Sequence, residues 1–138
     1  MAIPDKLTEE EEDKETRILI IEDNEELRHF ICGVLAREYV VLEAGNGCQG
    51  LEMTLRELPD IVISDIMMPE MDGIEYLKRV KGNNDICHIP IILLSAKSSL
   101  NDQIQGLEYG ADEYITKPFS SAYLKARVDS LLCLLYTS

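Results

Sequence analysis

Short apolar runs alternate with segments of helical hydrophobic spacing along most of the chain. The runs have the length of strands, and in chain order they are "RILIIED", "YVVLEA", "IVISD", "IPIILLSA" and "DEYIT". The intervening and final segments predict helices, and they are "NEELRHFICGVLARE", "CQGLEMTLREL", "GIEYLKRVK", "LNDQIQGLEYG" and "SSAYLKARVDSLLCLL". Pro59-Asp60 and Gly110 are typical of the ends of the second and fourth helices. The pattern therefore predicts five strands and five helices in alternation.

Strict alternation of strand and helix is typical of an α/β domain with a parallel sheet. Right-handed crossover connections then place helices on both faces of the sheet. The strands are continuous apolar runs rather than alternating ones, as expected for strands buried on both faces. Between the second strand and the second helix, Gly45-Asn46-Gly47 predicts a turn. We therefore predict an α/β fold with a five-stranded parallel sheet.

The distribution of charge narrows the range of functions. The chain has 138 residues and a formal net charge of −13, which suits one acidic domain. Residues 1–15 contain seven acids and two lysines, so they predict an acidic disordered linker or tail, and the folded domain is expected over residues 16–138. Direct binding of nucleic acid is not expected, because the chain shows no basic stripe to meet phosphates.

The sequence shows neither a targeting signal nor a cysteine motif that would indicate a further function. The sequence contains no apolar run of about 18 residues and no secretory signal, so we expect no membrane contact and a cytoplasmic location. The four cysteines are far apart and form no CxxC pair, which argues against a zinc site and a disulfide framework. Reduced thiols are the expectation for such a cytosolic chain.

Charged and polar residues stand at the end of four of the predicted strands. The first strand ends in Glu22-Asp23, the third in Asp65, the fourth in Ser95, and the fifth in Lys117. Ligands bind at the carboxyl ends of the strands in an open parallel sheet, so these side chains are expected to meet in one crevice. The sequence thus predicts three carboxylates, a hydroxyl and an amine at the same edge.

Three neighbouring carboxylates either rise in pKa or hold a cation between them. Oxygen ligands of this kind suit Mg²⁺, and a main-chain carbonyl in the turn through Met67, Met68 and Pro69 can also reach the metal. Asp65 is placed to act as a nucleophile that forms an aspartyl phosphate. Lys117 and Ser95 would then neutralise and hydrogen-bond the transferring group.

Four segments together resemble the receiver domain of two-component response regulators. They are "IIEDNEELR", "DIVISDIMMPEMDGIEYLKRVK", "IPIILLSAK" and "GADEYITKPF", and the resemblance covers about residues 16–136. It implies the CheY-like, flavodoxin-like (βα)5 fold with strand order 2-1-3-4-5. Two departures are mild, since Glu22 replaces an aspartate of the family's acidic pair and Ser95 replaces a threonine.

The resemblance also assigns roles to individual residues. It implies that Asp65 accepts a phosphoryl group, with Mg²⁺ held by Glu22, Asp23, Asp65 and the backbone carbonyl of Met67. Ser95 and Tyr114 match the switch pair. Lys117 matches the family's lysine, and the Lys117–Pro118 bond is expected to be cis. In this family the domain catalyses its own phosphorylation and dephosphorylation without being a conventional enzyme.

Partners follow from the same resemblance. The expected donor is the phosphohistidine of a histidine kinase, and the expected readout face comprises residues 101–109, 113–116 and 120–135, which can also form a homodimer. The stretch from Ser95 to Val128 resembles bacterial hybrid sensor proteins, in which an AraC-type DNA-binding domain regulates transcription. On that view the chain is part of a longer protein, and residues 1–15 form the linker after a kinase.

Three other functions use similar folds or similar chemistry. A haloacid dehalogenase-type phosphatase needs a second acid two residues after the nucleophile, where this chain has Met67. A flavodoxin needs a polar, glycine-rich phosphate loop after the first strand, where this chain is acidic. A receiver-like interaction module that is never phosphorylated remains open, because it can retain both Asp65 and Lys117.

Overall fold

The computed structural model describes residues 15–96 and 100–137, with side chains through Leu135. Five strands and five helices alternate within these residues, as the hydrophobic pattern predicts. The elements are β1 (Arg17–Ile21), α1 (Glu25–Leu35), β2 (Val40–Ala44), α2 (Gly47–Glu57), β3 (Ile61–Asp65), α3 (Gly73–Lys81), β4 (Ile91–Ala96), α4 (Leu100–Glu108), β5 (Glu113–Lys117) and α5 (Ser121–Thr137). The predicted acidic tail lies outside the described residues, except for Glu15.

The strands form one parallel sheet in the order β2-β1-β3-β4-β5. The register pairs Ile18 of β1 with Ile61 of β3, and Asp65 of β3 with Leu94 of β4. Because every strand runs in the same direction, the carboxyl ends of all five lie along one edge. The fold class and strand order implied by the sequence are therefore confirmed.

Two apolar layers cover the sheet. The side chains of Leu19, Val62 and Leu93 point to one face and pack with α3, and those of Ile18, Ile63 and Leu94 point to the other and pack with α1 and α5. β1, β3 and β4 are buried almost throughout. The expectation of full burial is wrong for β2 and β5, because these strands border the sheet and have one neighbouring strand instead of two.

Local sequence sets the starts of three helices. The side chains of Asn24, Asn46 and Asp72 accept hydrogen bonds from the amides of Leu27, Gln49 and Glu75, respectively, at the N-termini of α1, α2 and α3. The predicted turn at Gly45-Asn46-Gly47 is shorter than expected, since Asn46 caps α2 and Gly47 is already helical. No helix within residues 15–96 and 100–137 is long and apolar enough to cross a membrane.

Candidate functional site

β3 ends in a buried acid at the carboxyl edge of the sheet. Asp65 is 3% exposed, and the chain turns back directly after it. The amide of Gly73 donates to the carbonyl of Ile66 at 2.9 Å, and a Cβ on Gly73 would lie 2.3 Å from the Asp65 carbonyl oxygen. Only glycine permits this approach, so Gly73 closes the loop that surrounds Asp65.

β1 brings two more acids to the same place. Glu22 is 1% exposed, its amide donates to the carbonyl of Ala44, and its carboxylate accepts from the amide of Asn24 at 3.1 Å. Asp23 is exposed. Carboxylate oxygens of Glu22, Asp23 and Asp65 all lie within 4.8 Å of one another. The structure thus brings together the three predicted acids.

Lys117 reaches this cluster from the end of β5. Its Nζ lies 2.8 Å from Oδ1 of Asp65 and 3.4 Å from Oε1 of Glu22. The Lys117–Pro118 peptide bond is cis, as the resemblance implies. Within the described part of the chain, one lysine therefore contacts two buried carboxylates.

Burial raises the pKa of both buried acids. The pKa of Glu22 rises from 4.5 to about 7, because burial and the neighbouring Asp65 disfavour its charged form more than the Asn24 amide and Lys117 favour it. Burial likewise raises the pKa of Asp65, although Lys117 opposes the rise. Burial acts to lower the pKa of Lys117, but hydrogen bonds and charges of Asp65 and Glu22 raise it overall. The crevice therefore holds more negative charge than one lysine neutralises.

Ser95 and Tyr114 form a second group beside the acids. Ser95 is fully buried near the end of β4, and its hydroxyl donates to the carbonyl of Ala96 at 3.3 Å. Tyr114 is half-buried on β5. Burial raises the pKa of Tyr114, and the neighbouring Ser95 offsets part of the rise. The role of Ser95 and Tyr114 as a switch stays a prediction.

Met67 stands two residues beyond Asp65 in the loop between β3 and α3. Its side chain is 67% exposed, whereas the Met68 side chain is 8% exposed and belongs to the core. Met67 therefore lies on the surface of the loop, and Met68 anchors the loop in the core. The expected role of its backbone carbonyl stays a prediction.

Sequence patterns missed two contacts in this region. The first is the ion pair between Lys117 and Glu22, because residues 95 positions apart show no local signal. The second involves Arg28 on α1, whose Nη1 donates to the Glu22 carbonyl at 2.8 Å. An arginine on an amphipathic helix normally predicts a solvated face, so nothing in the pattern singled it out.

Comparison with known proteins identifies the family. The family model described as the response regulator receiver domain matches residues 18–129. The chain belongs to this family. A receiver domain is the phosphoacceptor module of two-component signalling, and the acidic edge of the sheet lies within the matched residues.

Relatives of this receiver domain include much longer signalling proteins. It is 43% identical over 131 residues to histidine kinase P4 of Formosa agariphila and 40% identical over 115 residues to hybrid signal transduction histidine kinase D of Dictyostelium discoideum. The alignments cover 95% and 83% of this chain but 9% and 7% of those proteins. The chain therefore spans less than a tenth of the length of these two relatives.

Solved structures of receiver domains share this fold. The signal receiver domain of a signal transduction histidine kinase from Syntrophus aciditrophicus superposes with a TM-score of 0.83 at 34% identity. The match covers 90% of this chain and 95% of that one. The resemblance seen in the sequence motifs is thereby confirmed.

Proposed function

We propose that this receiver domain accepts a phosphoryl group on Asp65 from the phosphohistidine of a histidine kinase. The observation that carries the proposal is the convergence of a buried carboxylate, a lysine at 2.8 Å and two further acids within 4.8 Å. Such a group can bind a cation and neutralise a phosphoryl group, and both functions are needed for phosphoryl transfer to a carboxylate.

The acids fit a divalent cation. Glu22 and Asp65 are buried, and their pKa values are raised mainly because burial disfavours the charged form, which a bound cation would favour. Carboxylate oxygens are suitable ligands for Mg²⁺, and Asp23 is exposed and able to bind an ion that keeps several waters. We propose Glu22, Asp23, Asp65 and the carbonyl of Met67 as its ligands. When bound, Mg²⁺ supplies positive charge to the phosphoryl oxygens.

Asp65 and Lys117 carry the transfer itself. A carboxylate oxygen of Asp65 attacks phosphorus, a P–O bond forms, and the P–N bond to the donor histidine breaks. The histidine nitrogen leaves with the electron pair of that bond and takes up a proton from solvent. Lys117 lies where its ammonium group can stabilise the developing charge, and Ser95 can donate to a phosphoryl oxygen. The product is an aspartyl phosphate, which the domain later hydrolyses.

Ser95 and Tyr114 form the switch that responds to the phosphoryl group. A phosphoryl group adds about −1.5 to −2 charges at Asp65, which attracts the Ser95 hydroxyl. Ser95 then moves toward the phosphoryl group, and the Tyr114 side chain can turn into the space that Ser95 leaves. A Tyr114 side chain that keeps one conformation in both states would contradict this step.

The switch acts on the face formed by α4, β5 and α5. Large apolar side chains are exposed on these helices, namely Leu100, Ile104, Leu107, Tyr123, Leu134 and Leu135. Glu113 of β5 and Arg127 of α5 pair on the same face. We propose that this face binds a second copy of the domain or an output domain, of the AraC type in a transcription-regulating parent protein.

The relatives support the nature of the partner, and the cysteines support the proposed compartment. Two of them are named as histidine kinases, so a kinase phosphotransfer domain in the same chain or in another is the proposed donor. None of the four cysteines, all of which the structure describes, forms a disulfide. We place the exchange in the reducing cytoplasm for that reason.

Intact-mass spectrometry after incubation with Mg²⁺ and acetyl phosphate tests the proposal. We expect one added phosphoryl group that requires Mg²⁺. The adduct should be absent in Asp65→Asn and present in Asp60→Asn, a matched change of the acid that precedes β3.

A phosphorylated histidine kinase domain serves as the second donor. Absence of the adduct with both donors, in a folded protein, would refute the phosphoacceptor role. It would favour the interaction module that uses the same fold without phosphorylation. An adduct that persists in Asp65→Asn would place the acceptor elsewhere.

A further inference from the structure

Arg28 connects α1 to the acidic end of β1. Its side chain is 18% exposed, which is low for an arginine on a surface helix. Nη1 donates to the main-chain carbonyl of Glu22 at 2.8 Å, and Nε donates to the carboxylate of Glu43 on β2 at 3.0 Å. A guanidinium suits this task, because its rigid planar fork can hold two acceptors at once.

The Glu22 carbonyl belongs to the peptide group that joins the two neighbouring acids. The amide of Glu22, on its other side, donates to the Ala44 carbonyl and is part of the sheet. The Arg28 hydrogen bond holds the peptide group that follows, so the chain is fixed on both sides of the Glu22 side chain. The backbone direction at Asp23 depends on this peptide plane.

Glu43 holds Arg28 in turn. Its carboxylate also lies near the Cys32 thiol, one helical turn beyond Arg28 on α1. Burial, together with Glu43, raises the pKa of Cys32 to about 12, so the thiol stays protonated. Arg28 is therefore anchored at one end on β2, and its other end restrains the loop after β1.

We propose that Arg28 is a positioning residue for the metal site, and that it orients the Glu22–Asp23 peptide so that both carboxylates meet the cation together with Asp65. This inference rests on the metal site proposed above. Arg28 contacts neither the cation nor the phosphoryl group, and acts through the Glu22 carbonyl alone.

An electrostatic role and a positioning role of Arg28 predict opposite changes in Mg²⁺ affinity when Arg28 is removed. If its positive charge acts only through space, its loss will tighten Mg²⁺ binding, since one cation will no longer repel another. If Arg28 orients the peptide, its loss will weaken Mg²⁺ binding, as the loss of supporting hydrogen bonds does in other metal sites. The sign of the change in affinity therefore distinguishes the two roles.

A Mg²⁺ titration of the ¹⁵N-labelled chain, followed by the amide signals of residues 22–24 in NMR spectra, measures this affinity without any phosphoryl transfer. We expect Arg28→Met to raise the dissociation constant about tenfold. Arg28→Lys keeps the charge but offers no fork, so we expect a smaller rise of about twofold to threefold. Arg79→Met is the matched control, since Nε of Arg79 donates to Glu75 at 3.1 Å on an exposed surface far along the chain.

The spectra also report whether each variant is folded, and Arg28→Lys retains the test if Arg28→Met unfolds. Unchanged or tighter binding in a folded Arg28 variant would overturn the positioning role. An equal loss in Arg79→Met would do the same, because the effect would then be general. A parent chain that shows no Mg²⁺-dependent shifts would refute the metal site itself, which separates that failure from this one.

Discussion

The two ends of the same parallel sheet differ in how fully their charged side chains are paired. At the amino ends of the strands, Asp60 accepts from the amide of Arg17 at 2.8 Å, and Asp112 accepts from the amide of Ile91 at 2.9 Å. In each case the amide of the aspartate donates back to the same residue of the neighbouring strand. These acids thereby align adjacent strands. Each aspartate carboxylate has a hydrogen-bond donor on the neighbouring strand.

Cations at the amino ends are paired with similar completeness. Arg17 donates to both the carbonyl and the carboxylate of Glu57 at 2.6 Å. Lys81 donates to the carbonyls of Cys87 and Ile89 and lies 3.6 Å from Asp112. Charge at this end is compensated within the fold, and it stabilises the ends of β1 and β4.

The carboxyl ends leave charge uncompensated. Glu22 and Asp65 share Lys117, Asp23 lies beside them, and the pKa of both buried acids is raised. Such an arrangement costs stability unless a cation is bound. The charged residues that stabilise the sheet therefore lie at one edge, the structural edge, and those of the proposed phosphorylation site lie at the other, the reactive edge. Substitutions at the structural edge should change stability, and substitutions at the reactive edge should change phosphorylation or Mg²⁺ binding.

The largest expected effect comes from removing the lysine at the reactive edge. Lys117→Met should slow phosphorylation by acetyl phosphate by about 100-fold, because the transferring group loses a preorganised positive charge. Lys81→Met, the matched change at the other edge, should leave this rate within about twofold. Rates come from the intact mass followed over time. Equal losses in both variants would erase the proposed division between the edges.

The second effect is on the pH dependence of stability. The pKa of Glu22 is about 7 in the folded protein and 4.5 when it is exposed, so the metal-free protein should lose stability as pH rises through this interval. Glu22→Gln should remove this loss and be more stable than the parent at pH 8, on the order of 2 kcal/mol, with no difference below about pH 4.5.

Urea unfolding at several pH values, with a chelator present, measures this difference. Glu52→Gln is the control, because its side chain is 72% exposed on α2. A Glu22→Gln variant that is less stable than the parent at pH 8 would show that the ion pair with Lys117 outweighs the cost of burial.

The third effect belongs to the structural edge. Lys81→Met should lower the free energy of unfolding by about 1–2 kcal/mol, since two carbonyls and Asp112 lose their donor. The affinity for Mg²⁺ should stay unchanged in the same variant. Thermal unfolding measures the stability, and the Mg²⁺ titration measures the affinity. A weakened affinity would show that the two edges are coupled.

The smallest effect concerns the backbone at the same edge. Leu58, between α2 and β3, has a φ of 48° and is 57% exposed. Leu58→Gly should stabilise the protein by about 0.5–1 kcal/mol, because glycine adopts this left-handed conformation without steric cost. Leu55→Gly, within α2, should instead destabilise it by about 1 kcal/mol. Urea unfolding distinguishes the two, and the same sign in both would contradict this account.

Most of the fold follows from local patterns. Apolar runs such as "IVISD" and helical spacing such as that of Leu27, Ile31 and Leu35 determine the elements, because burial of one face or two requires those periods. Alternation determines the parallel direction, and it sends Asp65 and Lys117 to the same edge. The hydrophobic pattern of β2 and β5 does not show their partial exposure, since their own sequences do not reveal that they border the sheet; only the strand order implied by the family resemblance does.

The sequence by itself determined which residues reach the reactive edge, because the end of each strand is a local property and parallel strands end together. Tertiary structure alone decided which of them touch. The 3.4 Å contact of Lys117 with Glu22, the raised pKa of Glu22 and the hydrogen bond from Arg28 depend on distances between separate segments and on burial by the whole fold. Those quantities decide how strongly the edge holds a cation, and no single segment of the chain contains them.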